Sequence, residues 1–354
     1  MSVVSQLFLN PALTAPLWLI LTGRAPEGIT QPVLLFLRRH LSADALASIT
    51  TTLKWATVLG VGKWVNDWLG RLAMNSFRLR SERHRYDWPD EVALITGATG
   101  GFGSRFARDL AAKGVKIIAV DVIESMPQDD LRNNARINYY QCDITDRDAV
   151  MKLAEEVTEV HGDVSILINN AGVACEGMEV LTCTPDILQR TYGVNLVSHY
   201  YTLQAFMPAM VRRKKGHIVT VASLASFVSP AGMAAYSSSK AAVLALHETI
   251  RTEARALHKC PEIQFTSVHP TFADTPLITR WMKELQASKV FIIDPQQVSD
   301  AVVSQILSCR GGQVFVPRYT AATKWIRGWP VWLREGFVMM GERRRAILEN
   351  GKQL

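Results

Sequence analysis

Tyr236 and Lys240 stand four residues apart in Ala235-Tyr236-Ser237-Ser238-Ser239-Lys240, a spacing that puts a phenol and an ammonium on one helical face. A free phenol, with a pKa of about 10, exchanges protons poorly near neutrality, whereas a fixed cation beside it favours the phenolate and makes Tyr236 a candidate general acid/base. Any amphipathic helix produces this spacing by chance, with a solvated face as the outcome. The surrounding elements must therefore supply the rest of a site.

Those elements alternate between strand and helix. After Glu91 comes the short apolar run Val92 to Ile95, then Thr96-Gly97-Ala98-Thr99-Gly100-Gly101-Phe102-Gly103, then a helical stretch from about Ser104 to Lys113. Strand, glycine-rich turn and helix N-terminus form a cradle in which backbone N–H groups and the helix dipole meet a pyrophosphate. The next strand, 115 to 120, ends in Asp121. A carboxylate there can accept from ribose hydroxyls and repels a 2′-phosphate, which predicts NAD rather than NADP. Further strands at 137–141, 164–168, 217–222 and 263–268 end at Asp143, Asn169, Ser223 and His269-Pro270, with helices at 147–161, at 185–212 (carrying Asn195) and around Tyr236. This alternation predicts an α/β fold over residues 90–317, a doubly wound parallel sheet of Rossmann type with its ligand crevice at the carboxyl ends of the strands.

The 354 residues are 48% hydrophobic, enough for a sizeable core, and the formal net charge is +7. That charge is uneven: residues 1–88 carry ten Lys/Arg against five Asp/Glu, residues 318–354 eight against three, and the middle 21 against 24. Eight of the nine tryptophans, all but Trp281, lie in the same two flanks. Tryptophan, basic residues and long apolar runs together predict a membrane interface rather than a nucleic-acid partner. Five cysteines, with no Cys-x-x-Cys pair and no clustered histidines, fit a reducing compartment and predict no metal site.

Residues 1–77 read as a membrane-anchoring region and 78–89 as a basic linker. No charge occurs from Ser2 to Gly23, and the run from Leu7 to Leu21 is long enough to reach across a bilayer core. Asn10, Pro11 and Pro16 interrupt it, so a kinked or re-entrant insertion is the alternative. Residues 45–77 mix Lys54, Lys63, Asp67 and Arg71 with Trp55, Trp64 and Trp68, as expected of a helix lying in the headgroup plane. The basic residues all follow the first apolar run, which predicts a catalytic domain facing the cytosol from the endoplasmic reticulum or a lipid droplet. The tail, 318–354, reads as a second interfacial amphipathic helix or as one packed on its own domain or a second copy of the chain, leaving a homodimer open.

Between 90 and 317 the chain resembles the short-chain dehydrogenase/reductase family. Thr96, Gly97, Gly101 and Gly103 match its Thr-Gly-x-x-x-Gly-x-Gly, residues 169–172 its Asn-Asn-Ala-Gly, and Ser223 precedes Tyr236 by the family's thirteen residues. The resemblance implies that Asn195 holds a water in a proton relay, Ser223 hydrogen-bonds the substrate oxygen, Tyr236 exchanges its proton, and Lys240 binds the nicotinamide ribose and lowers the tyrosine pKa. It further implies that Asp143 contacts adenine, Asn170 lines the cofactor crevice, and Thr275 lies on the nicotinamide side. Two positions depart from the pattern: Pro270-Thr271 replaces Pro-Gly, and Ser226 stands where a glycine is frequent. His269 reads as structural. The apolar run 277–282 reads as a lid, and the apolar N-terminal extension is similar to the membrane-bound retinol and 17β-hydroxysteroid dehydrogenase-like branch. Together these predict a membrane-attached oxidoreductase for a lipophilic alcohol, ketone or aldehyde (a retinoid, steroid or long-chain lipid). The competing expectation is a catalytically silent NAD-binding scaffold at a membrane.

Overall fold

Val92 to Thr96 is buried along its whole length, as a strand covered by helices on both faces must be. It is β1 of a seven-stranded sheet in the computed structural model, which describes residues 8–174, 179–287 and 289–339. The others are β2 (Lys116–Asp121), β3 (Ile137–Gln141), β4 (Ile166–Asn169), β5 (His217–Val221), β6 (Gln264–Pro270) and β7 (Gly312–Val316). Their order is β3-β2-β1-β4-β5-β6-β7, and every neighbouring pair is parallel. The chain leaves β1 to build outward on one side and returns through β4 on the other, so a crevice opens between the carboxyl ends of β1 and β4.

Alternate residues of each strand enter opposite core layers. Ala93 and Ile95 pack with Phe106, Leu110, Val298, Val302 and Ile306, from α4 (Gly101–Ala111) and α9 (Pro295–Leu307). Val92 and Leu94 pack with Val150, Leu153, Phe206, Met210, Leu246 and Ile250, from α5 (Arg147–His161), α7 (Ser198–Arg213) and α8 (Ala234–Ala256). The helix expected from Ser104 starts earlier, at Gly101, because the glycine turn itself provides the first helical turn. The helix expected over 185–212 is broken: α6 (Pro185–Tyr192) passes into a π-helical turn at Gly193–Val197 before α7 begins.

The chain divides into two units, Met1–Ala73 and Met74–Leu354. In the first, α1 (Pro11–Leu21), α2 (Glu27–His40) and α3 (Ala43–Met74) follow one another. Asn10 caps α1 by accepting from Ala12 N at 3.0 Å, and Pro11 takes the first helical position. Among the described residues no helix is long and apolar enough to cross a membrane. The 11 residues of α1 rise only about 16 Å, half the hydrocarbon core of a bilayer. In α3, a Cβ on Gly60 would lie 2.6 Å from Leu9 O, so only glycine allows that close approach. Trp55, Val58, Leu59, Trp64, Val65, Trp68 and Leu69 of the same helix remain exposed.

In the second unit, residues 78–89 pack onto the domain. Glu82 is buried between Arg78 at 2.6 Å and Arg85 at 3.4 Å, and Arg85 Nη1 donates to Lys214 O at 2.6 Å. After β7, 3₁₀ turns span Arg318–Gly328 and residues 331–339 are helical. The remainder of the expected tail helix, with Arg343 to Arg345, lies outside the described residues.

Candidate active site

The glycine turn works by close approach. Gly97 (φ +64°) and Gly101 (φ +53°) occupy the left-handed region, and a Cβ on Gly103 would stand 2.1 Å from Gly97 O. The turn is latched to β4 from behind. Thr96 Oγ1 accepts from Asn170 N at 3.0 Å and Ala171 N at 3.1 Å, while Asn170 Nδ2 donates to Thr96 O at 2.9 Å and Gly97 O at 3.0 Å. Gly97, Gly101 and Asn170 line the crevice; Thr96 and Gly103 stand behind its wall and shape it.

Asp121 and Asp143 face the same crevice. Asp121 Oδ2 accepts from Thr99 N at 3.0 Å and Thr99 Oγ1 at 2.6 Å, and Oδ1 from Val122 N at 2.8 Å. This carboxylate therefore ties the glycine turn to β2 while presenting to the crevice. Asp143 Oδ1 accepts from Thr145 N at 2.8 Å and Thr145 Oγ1 at 2.7 Å. Thr275 lies across from the turn, where a Cβ on Gly101 would meet its side chain at 3.6 Å.

Tyr236 and Lys240 are buried in the first turns of α8. Lys240 Nζ lies 5.8 Å from the Tyr236 ring centroid and donates to Val221 O at 2.9 Å. Burial lowers the Lys240 ammonium to about 8, because the low-dielectric interior penalises its charged form. Ser223 follows β5 by two residues; its Oγ accepts from Ala225 N at 3.1 Å, which leaves the hydroxyl hydrogen to donate to another group. Tyr236, Lys240 and Ser223 all line the cavity. Asn195 is wholly buried in the π-helical turn and is not part of that lining. Its Oδ1 accepts from Val173 N at 2.8 Å, and its Nδ2 donates to Val173 O at 2.9 Å and Ser239 Oγ at 3.0 Å. A Cβ on Gly172 would be 3.3 Å from Lys240 Nζ and 3.5 Å from Asn195 Oδ1, so glycine lets both approach this loop.

Sequence reasoning did not assign Thr99, which holds Asp121, or the partners of Ser226. The Ser226 hydroxyl donates to Lys240 O at 2.7 Å, a bond that a glycine could not make. Nothing in the spacing pairs either couple. Among the described residues no group of three or more His, Cys, Asp and Glu could hold a metal ion.

These residues surround a cavity of about 1840 Å³, larger than the roughly 300–1,000 Å³ of ordinary ligand pockets and so able to take a dinucleotide and a substrate together. The glycine turn, Asp121 and Asp143 occupy one end. Trp281, Leu277, Ile278, Phe291 and Phe337 belong to the same lining, and three of them are open to solvent as well: Leu277 by 36%, Phe337 by 45% and Phe291 by 61%.

Comparison with known proteins agrees with this geometry. A family model described as short chain dehydrogenase matches residues 91–286. Dehydrogenase RED2 of Cochliobolus heterostrophus is 32% identical over 220 residues, 62% of this chain and 81% of that protein. Human estradiol 17-beta-dehydrogenase 11 is 32% identical over 250 residues (69% and 81%), and retinol dehydrogenase 10-A of Xenopus laevis 31% over 269 (67% and 74%). The crystal structure of a short chain dehydrogenase/reductase from Burkholderia phymatum in complex with NAD superposes with a TM-score of 0.62 at 25% identity, covering 69% of this chain and 94% of that one. With a parallel sheet in this strand order, a glycine turn that admits no Cβ, and a tyrosine and lysine sharing its crevice, the chain belongs to the short-chain dehydrogenase family and is a nicotinamide-dependent alcohol dehydrogenase or carbonyl reductase.

Proposed function

We propose that this enzyme transfers a hydride between NAD(H) and a lipophilic alcohol or carbonyl compound, of the retinoid, steroid or long-chain lipid class, while attached to a membrane. The observation that carries the substrate class is the cavity: apolar residues from two distant stretches, 277–291 and 337, share one lining with Ser223 and Tyr236. The relatives named estradiol 17-beta-dehydrogenase 11 and retinol dehydrogenase 10-A support the same class.

The bound nicotinamide supplies the hydride acceptor or donor. Gly97, Gly101 and Asn170 would cradle its pyrophosphate side, Asp121 the adenosine ribose, Asp143 the adenine, and Thr275 and Lys240 the nicotinamide half. At the reacting carbon's oxygen, Ser223 donates a hydrogen bond and Tyr236 gives or takes the proton. The Lys240 ammonium lowers the cost of the phenolate. With its own value near 8, it is still largely protonated at pH 7. Asn195 acts through its bonds to Val173 and Ser239, fixing the loop beside Lys240.

Cofactor choice rests on charge. The cations among the described lining residues are Arg190, Lys240 and Lys289, and none belongs to the β1–β2–β3 edge where a 2′-phosphate would need one. Membrane attachment is supported by α3, whose exposed tryptophans and aliphatic residues accompany Lys54, Lys63 and Arg71 as in helices that lie in a lipid interface. A cytosol-facing domain on the endoplasmic reticulum or a lipid droplet completes the reading. The enzyme is preferred to a silent scaffold because a scaffold has no need of Ser223, Tyr236 and Lys240 in one crevice.

An activity screen of the purified full-length enzyme against lipid alcohols and ketones, each with NAD(H) and NADP(H), tests the proposal. Turnover of long-chain, retinoid or steroid substrates with NAD(H) is expected. Turnover confined to small polar alcohols would overturn the substrate class.

A further inference from the structure

His269 is wholly buried near the end of β6, beside the point where β5 and β6 part. Their paired register runs from His217–Gln264 to Val221–Val268, and the last ladder bond is Ala222 N donating to Val268 O at 2.9 Å. One residue later Ser223 has left the ladder, and a backbone carbonyl inside a protein needs other donors. Its oxygen accepts from Ser226 N at 3.1 Å and from the imidazole of His269, with Nδ1 at 3.3 Å.

A carbonyl oxygen only accepts, so Nδ1 carries the ring hydrogen. Burial holds the imidazole neutral, with its pKa lowered to about 4. Nε2 is consequently an acceptor, and the Ser267 hydroxyl at 3.0 Å donates to it. The ring packs against two aromatic neighbours that also touch each other, with centroids 5.8 Å apart. Phe315 stacks on it at 4.7 Å and 25°, and Phe227, four residues beyond Ser223, lies at 5.0 Å and 56°.

We infer that His269 is a positioning residue for Ser223: its Nδ1–H holds the serine's carbonyl where the strand ladder ends, and so orients the peptide that aims the Ser223 hydroxyl at the substrate oxygen. The inference rests on the reading of Ser223 as hydrogen-bond donor to that oxygen. Directional donors of this kind act in the transition state, so a loosened serine lowers kcat more than it raises KM.

Three variants separate hydrogen bonding from packing. His269→Phe keeps an aromatic ring against Phe227 and Phe315 but has no donor. His269→Asn discards the stacking but places an amide N–H near the Nδ1 position. His269→Gln places one near Nε2, toward Ser267. Two readouts are taken on the full-length protein: steady-state kinetics with retinol and estradiol, and hydrogen exchange at the amides of Ala225 and Ser226, which donate to Ser223 Oγ and O. Expected for His269→Phe are a fall in kcat of about tenfold or more, unchanged cofactor affinity, and faster exchange at both amides. Expected for His269→Asn are kcat within about threefold of the parent and parental exchange.

If the Phe variant fails to fold, Asn against Gln carries the same comparison, with Gln behaving as the defective member. A Phe variant that matches or exceeds Asn in exchange protection overturns the inference in favour of plain packing. Exchange that follows the expected order while kcat is unmoved overturns the role of Ser223 instead. Where neither probe substrate is turned over by the parent, the exchange order alone decides the positioning.

Discussion

Lowering the pH from 7 to 5 should remove much of the catalytic domain's stability through histidines that the fold keeps neutral. His199, His217, His247 and His269 are buried, and burial is the first cause that lowers each, to about 3 for the first three and about 4 for His269. For His199 the neighbouring Lys240 and His247 add to it. Protonation would also leave charged N–H groups unpaired: His217 Nδ1 and His247 Nε2 are buried with no hydrogen-bond partner among the described residues, their other nitrogens being bonded to Thr266 and Thr220.

The sign follows from linkage. An unfolded histidine titrates near 6.5, so below that pH the unfolded chain binds protons that the folded domain refuses, and stability falls until the folded values near 3 to 4 are reached. Between pH 7 and 5 each such histidine costs about 1.9 kcal/mol, and the four together about 7 to 8 kcal/mol. That is comparable to the whole stability of a typical domain, about 5–15 kcal/mol. Urea unfolding of the full-length protein, followed by fluorescence at half-unit steps, should show a midpoint that collapses toward pH 5. His217→Gln should reduce the pH slope by about one proton, whatever it does to stability at pH 7. A midpoint indifferent to pH over this range, or a slope unchanged in His217→Gln, would refute the reasoning.

Tyr236→Phe should abolish turnover while cofactor still binds, as measured by nicotinamide fluorescence titration, and Lys240→Met should weaken that binding as well; substantial turnover in the Phe variant would remove Tyr236 from the chemistry. Asp121→Ala should narrow the preference for NAD(H) over NADP(H), and Thr99→Val, which breaks a charge-assisted bond worth about 1.5–3 kcal/mol, should weaken NAD(H) binding roughly tenfold without changing the preference. Equal parental efficiency with both cofactors would show that Asp121 does not set the choice. Deleting residues 1–73 should release most of the protein from membranes where high salt does not, the cut falling before Met74 because Asn75 is buried in the catalytic unit. Release of the intact chain by salt alone would mean that attachment is electrostatic.

Much of this was legible in the amino-acid sequence because it is local. Tyr236 and Lys240 share a face through helical period alone, and the glycines of the turn are legible because a left-handed φ or an absent Cβ is a property of single residues. Asp121, Asp143 and Ser223 come to one edge because alternating strands and helices are compelled into a parallel, right-handed arrangement whose carboxyl ends lie together. Summed hydropathy also marked the N-terminal region as apolar. Only the structure showed that its first described helix is too short to span, a matter of where Asn10 and Pro11 start it and Gly23 ends it.

Tertiary structure decided the lateral pairings. Thr99 on Asp121, Ser226 on Lys240 O, Asn195 between Val173 and Ser239, and His269 on Ser223 O each join residues whose separation in the chain follows no period. The π-helical turn at Gly193–Val197 interrupts a stretch whose residue pattern reads as continuous helix. The cavity wall was hidden for the same reason. Phe291 and Phe337 reach the lining of Tyr236 only after intervening strands and turns have packed, and hydrophobic contact, being non-directional, leaves no spacing in the chain by which such partners could be recognised.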